Sequence, residues 1–297
     1  MVEMRCEALI AGSRFGKFGG MERYTRWRKG LPGRETLVSL LLVSACLAGW
    51  GEAPAAAVRE FNAYTGTVES RLGEQHRSLN SFVASAGASS QANTRLRRGE
   101  LIIERLKPPD EAEMPGALLH HWRGTAFVRG ATVVDFERLM KDFSGYPQKF
   151  SPQIVRAGIV AQPDGRGSDH FTAAMRVRQH HVITVVMDTV YDIRYGRLDT
   201  QHGYSVSRSI RISEIALAGT PKESALNDGE EHGFLWRLNT YWSYEEHDGG
   251  LYLQVESVSL TRSIPTGLGW VVRPYVESVP RESLEFTLRA VCNALRK

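Results

Sequence analysis

The clearest pattern in the chain is an alternation of apolar and polar residues between positions 182 and 198. A period of two residues is typical of a β-strand with one buried face, so this segment is predicted to be a strand. The side chains of one parity, expected to face the core, are Ile183, Val185, Met187, Tyr191, Ile193 and Tyr195. Further strands are predicted at 118–128, 154–161, 170–177, 204–215, 234–244 and 251–260.

The phase of the apolar residues predicts which face of each strand is inward. In the strand 204–215, Val206, Ile210 and Ile212 share one parity, which would place Arg208 on the inner face. In the strand 251–260 the apolar parity changes near Ser257, which predicts a bulge or bend. Turn signals at 163–167 and 247–250 predict two hairpins.

Helical periodicity surrounds this run of strands. Thr132, with Asp135 three residues later, predicts the cap of a short amphipathic helix. The end of the chain is predicted to be helical. Residues 267–279 have a helical pattern interrupted by Pro274, and a long helix from Pro280 has the apolar stripe Leu284, Leu288, Val291 and Leu295. Before the strands lie a helical segment at 59–76, a small-residue linker at 84–93 and a short strand at 101–106. The order predicts an α+β fold, in which a curved antiparallel sheet of six to seven strands wraps a long C-terminal helix.

The first 57 residues have the order of a secretory leader. A basic stretch is followed by a 14-residue apolar run and by small residues ending at Ala57. Cleavage before Val58 is favoured, while residues 43–46 also resemble a lipobox that would lipidate Cys46 and hold the protein beside a membrane. An uncleaved anchor is a further alternative, and Met21 is an alternative start. The chain is therefore expected to be exported, periplasmic or secreted.

Charge supports this division of the chain. The net charge of +4 arises from 37 basic and 33 acidic residues, of which eight and five lie in residues 1–57. The rest is nearly balanced, so no nucleic-acid partner is expected. The domains predicted are a leader (1–57), an N-terminal helix, linker and strand (58–116), and a ligand-binding domain (117–297).

Two stretches resemble a known family. Residues 130–155, with Tyr146-Pro147 ahead of a strand, and residues 266–276 with 280–288 resemble the entry and the closing helix of the START-like superfamily. The resemblance covers about residues 118–297. It implies a helix-grip fold with an apolar cavity between sheet and helix, as in polyketide cyclase-like and lipid-transfer proteins.

The expected activity is binding of a hydrophobic small molecule or lipid in that cavity, with no cofactor and no metal. An inward Arg208 would hold a ligand carboxylate or phosphate. The alternatives are that the polar parity of this strand is the inner one, or that Arg208 pairs within the protein with Asp188 or Asp192. The complete set of predicted ligand-binding residues is Met187, Tyr191, Arg208, Trp236, Trp242 and Tyr244.

Two alternatives stay open at this point. No G-x-S-x-G, Walker A, H-E-x-x-H or C-x-x-C motif occurs. A cyclase- or hydrolase-like enzyme would have to use His121 or His181 together with Arg208. A third possibility is an envelope interaction module that uses residues 58–83 as a partner helix. The oligomeric state is not indicated.

Overall fold

The computed structural model describes residues 51–78, 82–83, 90–107, 114, 116–180, 183–227, 229–264 and 269–296, without the side chains of 269–276. Most of the predicted leader, residues 84–89 of the predicted linker and His181 lie outside the described residues. The helices are α1 (Ala55–Gln75), α2 (Ser90–Arg97), α3 (Val133–Lys141), the single-turn α4 (Tyr146–Lys149) and α5 (Gly269–Leu295). The strands are β1 (Ile102–Arg105), β2 (Ala117–Arg129), β3 (Ile154–Ala161), β4 (His170–His180), β5 (Thr184–Arg197), β6 (His202–Ala216), β7 (Ser224–Ala225), β8 (Arg237–His247) and β9 (Gly250–Arg262).

The strands form one antiparallel sheet in the order β1-β2-β9-β8-β6-β5-β4-β3, and β7 pairs with β6. The predicted α+β class, a curved antiparallel sheet with a long C-terminal helix, is confirmed. In the described part of the chain the sheet has nine strands instead of six or seven. The difference arises because β1, from the N-terminal extension, pairs with β2, and because the short β7 was not anticipated.

The two predicted hairpins are present. Strands β3 and β4 pair across residues 163–167, and β8 and β9 pair across Asp248 and Gly249. The φ angles at this second turn are 56° for Asp248 and 73° for Gly249. Positive φ at both turn residues matches the right-handed twist of the flanking strands, and glycine adopts it without Cβ strain.

The predicted cap of α3 is also present. The N–H of Asp135 donates to the Thr132 hydroxyl at 3.1 Å, and the N–H of Thr132 donates to the Asp135 carboxylate at 3.2 Å. This reciprocal pair satisfies two backbone donors at the start of the helix. Phe136 and Leu139 of α3 are consequently held against the core.

The helical character of the C-terminal segment is confirmed, but the predicted interruption is absent. Helix α5 begins at Gly269 and continues through Pro274 and Pro280 without a break. An interior proline removes one helix hydrogen bond, which ordinarily favours a break at that position. Packing of Leu284, Leu288 and Val291 against the sheet outweighs that local preference.

The bulge predicted in β9 is absent, and register shifts occur instead in the pairing of β3 with β4 and of β5 with β6. Strand β9 keeps an unbroken register with both neighbours, so no bulge occurs at Ser257. One bulge is in β6, where Ile210 is left unpaired between Ser209, opposite Tyr191, and Arg211, opposite Val190. It reverses the parity of β6, so that residues in phase by sequence lie on opposite faces.

Both faces of the central strands are covered, which explains the change of apolar phase in β9. On the inner face, α3 and α5 pack against the first half of β9, through Leu251, Leu253 and Val255. On the outer face, α1 packs against the second half, through Val258 and Leu260. The apolar residues of α1 in this outer cluster are Ala57, Phe61, Val68 and Leu72. Full burial of each larger side chain stabilises the fold by about 1.5–3 kcal/mol.

A buried carboxylate connects α1 to the sheet. Glu256 of β9 has no exposed side-chain surface and accepts hydrogen bonds from His121 Nε2 and Arg123 Nε, both at 2.9 Å. Arg71 of α1 forms an ion pair with the same carboxylate. The hydroxyl of Tyr64, also in α1, lies 2.7 Å from His121 Nδ1 and donates to it when the ring is neutral. Two side chains of α1 are therefore bonded into one network with the outer face of the sheet.

The network sets the ionisation of Glu256. Burial alone would raise the pKa of this carboxyl, but the hydrogen bond from His121 and the charges of Arg123 and Arg71 lower its pKa to about 2. The carboxylate form is thus favoured in the folded protein.

The domain boundaries predicted at residues 57 and 116 stay predictions. Helix α1 begins at Ala55, so it includes Val58 and the residues just before it. Within the described residues, no helix combines the length and apolar character needed to cross a bilayer.

Replacing Glu256 by Ala should lower the free energy of unfolding by about 3–5 kcal/mol, because two arginines lose a buried counter-charge. The matched control is Glu100→Ala, which removes the surface pair between Glu100 and Arg95 at 2.8 Å and should cost under about 1 kcal/mol. Urea unfolding of both variants measures the difference. Equal losses would show that the Glu256 network does not stabilise the fold.

The same carboxylate predicts a pH dependence. Its pKa in the folded protein, about 2, lies below the ordinary value of 4.5, so its stabilisation is complete above pH 4.5 and is lost as the pH falls towards 2. The stability difference between the wild type and Glu256→Gln should therefore shrink over this range. Urea unfolding at pH 6 and at about pH 3 tests this, and a constant difference contradicts it.

Candidate ligand-binding cavity

A cavity of about 190 Å³ lies between the inner face of the sheet and helix α5. Strands β4, β5, β6 and β8 form its floor, and Ser283, Phe286 and Thr287 of α5 lie over it. Tyr146 and Phe150 form part of the wall. Of the described residues that line the cavity, none is Asp, Glu, His, Lys or Arg. The surface presented to a ligand is therefore apolar with a few uncharged polar groups.

Strand β5 contributes more to the floor than any other single segment. Met187, Thr189, Tyr191, Ile193 and Tyr195 all line the cavity, at every second position. The alternation in the sequence predicted this face. Pairing with β4, in which Ala173 lies opposite Tyr191, keeps the floor continuous across the two strands.

Tyrosine hydroxyls fix one part of the wall. Tyr146 and Tyr195 both donate to the backbone carbonyl oxygen of Met140, at 2.6 and 3.0 Å. Burial raises the pKa of Tyr191 to about 12 and also raises the pKa values of Tyr146 and Tyr195. These rings consequently stay neutral near pH 7 and supply apolar area and hydroxyl groups, without charge.

The structure brings three of the six predicted ligand-binding residues together. Met187, Tyr191 and Trp242 line the cavity. Their role in binding stays a prediction, but their position is the one that a ligand contact requires.

Tyr244 lies on the inner face, beyond the described lining. Its ring packs on Phe136 of α3, with centroids 4.6 Å apart, and its hydroxyl donates to Glu137 at 3.0 Å. Glu137 also accepts two hydrogen bonds from Arg197, at 2.7 and 2.9 Å. Burial would raise the pKa of Glu137, but hydrogen bonds from Arg197 and Lys141 outweigh it and lower the pKa. Tyr244 is thus part of a structural ion cluster beneath α3.

Arg208 and Trp236 lie on the outer face of the sheet, which corrects their expected inward position. The Arg208 guanidinium donates two hydrogen bonds of 2.7 Å to Glu69 of α1. Neither Asp188 nor Asp192 is its hydrogen-bond partner. Trp236 packs in the outer apolar cluster with Phe61. Both predictions took the face that carries the apolar residues to be the inner one. Helix α1 covers the outer face, so apolar residues are buried on that face as well.

Among the described residues, no histidine lines the cavity. His121 contacts Glu256 on the outer face. His120 is buried on the opposite face of β2, lies 3.0 Å from the Thr261 hydroxyl, and has its pKa lowered by burial to about 4. His180 bonds to Thr184 at the exposed end of β4, at 2.8 Å. The described histidines therefore do not form the acid–base site that the enzyme alternative needs.

Several cavity residues escaped the sequence analysis. Ser205 and Ser207 of β6 and Thr240 of β8 line the floor. In β6 these serines alternate with Val206, which packs in the outer cluster. The polar parity of this strand is therefore the inner one, which was the alternative to an inward Arg208. Met140 and Met175 also line the cavity and were not singled out.

Comparison with known proteins gives matches among solved structures alone. No protein-family model matches the chain, and no curated protein does. A START superfamily protein from Mycobacterium smegmatis matches with 18% identity over 59% of this chain and 96% of its own, at a TM-score of 0.39. A STAR-related lipid transfer protein from Xanthomonas axonopodis matches with 18% identity over 66% and 99%, at 0.39. The aromatase/cyclase Zhui from a Streptomyces species matches with 15% identity over 59% and 93%, at 0.39.

At these identities and TM-scores the likeness concerns the fold and carries no argument about the ligand. The fold is visible in the chain itself, where a long C-terminal helix lies across the inner face of a curved antiparallel sheet. The chain has a helix-grip fold, as the resemblance of its two sequence stretches implied.

Proposed function

We propose that the protein binds a hydrophobic, lipid-like small molecule in the cavity between the sheet and α5, and sequesters or carries it. The observation that supports this most directly is the lining, in which apolar and aromatic side chains surround a few hydroxyl and amide groups. Sites for apolar ligands have this composition, with a small number of polar groups that fix orientation. Burial of apolar ligand surface would contribute about 25 cal/mol per Å².

The volume limits what the cavity holds. An engineered apolar cavity of about 150 Å³ in another protein admits benzene. At about 190 Å³, this cavity accommodates a ring or a short length of chain. Met140, Met175 and Met187 lie in its wall, and their unbranched side chains can change rotamer to admit more of a longer molecule.

Binding is better supported than acid–base catalysis. The described lining holds no carboxylate, imidazole or amine that would exchange a proton near neutral pH. Arg208 and His121, the residues named for the enzyme alternative, are bonded to Glu69 and Glu256 on the other side of the sheet. His181 lies outside the described residues.

We further propose that the protein acts after export. The support is the basic, apolar and small-residue order of residues 23–57. N-terminal sequencing and intact mass of the protein from a bacterial envelope fraction are expected to give a chain that starts at Val58. A chain that starts at a lipidated Cys46 would favour the lipoprotein alternative over cleavage after Ala57. An intact leader on protein in the cytoplasm would contradict export.

Filling the cavity should abolish ligand uptake while the fold is kept. Val177→Phe places a ring in the lining, and the matched control Ala174→Phe places the same ring on the opposite face of β4, where Ala174 pairs with Val190. Fluorescence titration with N-phenylnaphthylamine, a neutral apolar probe, should show affinity weakened by about tenfold or more in the first variant alone, because close-packed interiors do not yield space to an added ring.

Thermal unfolding of both variants serves as the control for folding, since an overpacked core typically costs about 1–3 kcal/mol. Equal probe binding by the wild type and by folded Val177→Phe would contradict the proposed cavity site. An absence of any probe binding to the wild type would contradict the binding function.

A further inference from the structure

Two hydroxyl residues of the cavity floor lie opposite each other on neighbouring strands. Ser207 of β6 and Thr240 of β8 both line the cavity and are directly opposite each other in the register of the two strands. Side chains of opposite residues on one face of an antiparallel pair lie about 5 Å apart. The two hydroxyls are therefore close enough for a single oxygen atom between them to hydrogen-bond with both.

These two hydroxyls are not used within the described protein. Two threonine hydroxyls of the cavity are already bonded to the backbone: Thr189 donates to the carbonyl oxygen of Met175 at 3.1 Å, and Thr287 donates to that of Ser283 at 2.9 Å. No hydrogen bond joins the side chain of Ser207 or of Thr240 to another described residue. Both residues are half-buried, so a polar atom that enters the cavity can replace water as the partner of the two hydroxyls.

The charge of that atom follows from the surroundings. Arg208, next to Ser207 in β6, faces away from the cavity and is bonded to Glu69. The described lining contains no cationic side chain, so a carboxylate or phosphate buried there would lack a counter-charge. A hydroxyl can donate to a carbonyl oxygen and can also accept from an alcohol, so it suits both uncharged oxygen functions.

Within the ligand-binding function proposed above, we propose that Ser207 and Thr240 together bind one uncharged oxygen of the ligand, an alcohol or a carbonyl. The cavity thereby selects neutral, oxygenated hydrophobic molecules over hydrocarbons and over ionised lipids. Ser207 and Thr240 are the specificity-determining pair.

The test compares decane, decanol and decanoate as competitors of N-phenylnaphthylamine at pH 8, where decanoate is ionised. The wild type is expected to bind decanol most tightly. In the double variant Ser207→Ala with Thr240→Val, decanol should bind about tenfold more weakly, as expected for the loss of one or two hydrogen bonds, while decane changes by less than about twofold.

The matched control is Ser213→Ala with Thr172→Val, which removes the same two kinds of hydroxyl from the outer-face positions opposite Asp188 and Asp192. This control should keep the wild-type order of affinities. If the probe and decane bind but decanol is no better than decane, or if decanoate binds best, the specificity proposal is overturned and the binding function stands. If the wild type binds neither the probe nor any competitor, the binding function itself fails, and the specificity proposal fails with it.

Discussion

Helix α1 packs on the outer face of the sheet, over the buried carboxylate of Glu256, and this contact determines how the residues of the central strands are divided between the two faces. His121, Arg123 and Arg71 all bind this carboxylate, so α1, β2 and β9 share one ionic network. A helix on this face buries the outer side of the central strands as well as the inner side. Each of those strands must then satisfy two interfaces, and its apolar residues are divided between them.

The cavity follows from that division. In β6 the larger side chain, Val206, packs towards α1, and the small residues Ser205 and Ser207 remain beneath α5. Small side chains leave space that α5 does not fill. Arg208 of this strand is bonded to Glu69 on the outer face, and no charged residue is among the described residues that line the space beneath α5. The location of the cavity and its chemistry therefore have one origin.

The parts of the fold that were predicted correctly are those in which a single local sequence pattern determines the structure. The Thr132 cap and the Asp248-Gly249 turn are local, and the alternation of β5 indicated the cavity face correctly because that strand has a single apolar parity. The inward assignment of Arg208 failed because apolar parity does not distinguish a face covered by α5 from one covered by α1. The bulge at Ile210 shifted the phase again, and nothing in the sequence of a single strand reports such a shift.

We propose that the uncharged space beneath α5 holds a neutral hydrophobic molecule. Native mass spectrometry of the protein purified from its own cells, followed by solvent extraction, identifies any bound molecule directly. One bound hydrophobic species is expected, with an alcohol or carbonyl group and no ionised group. Recovery of an ionised lipid would contradict the neutral cavity, and a consistently empty protein that also fails to take up apolar probes would contradict the binding function.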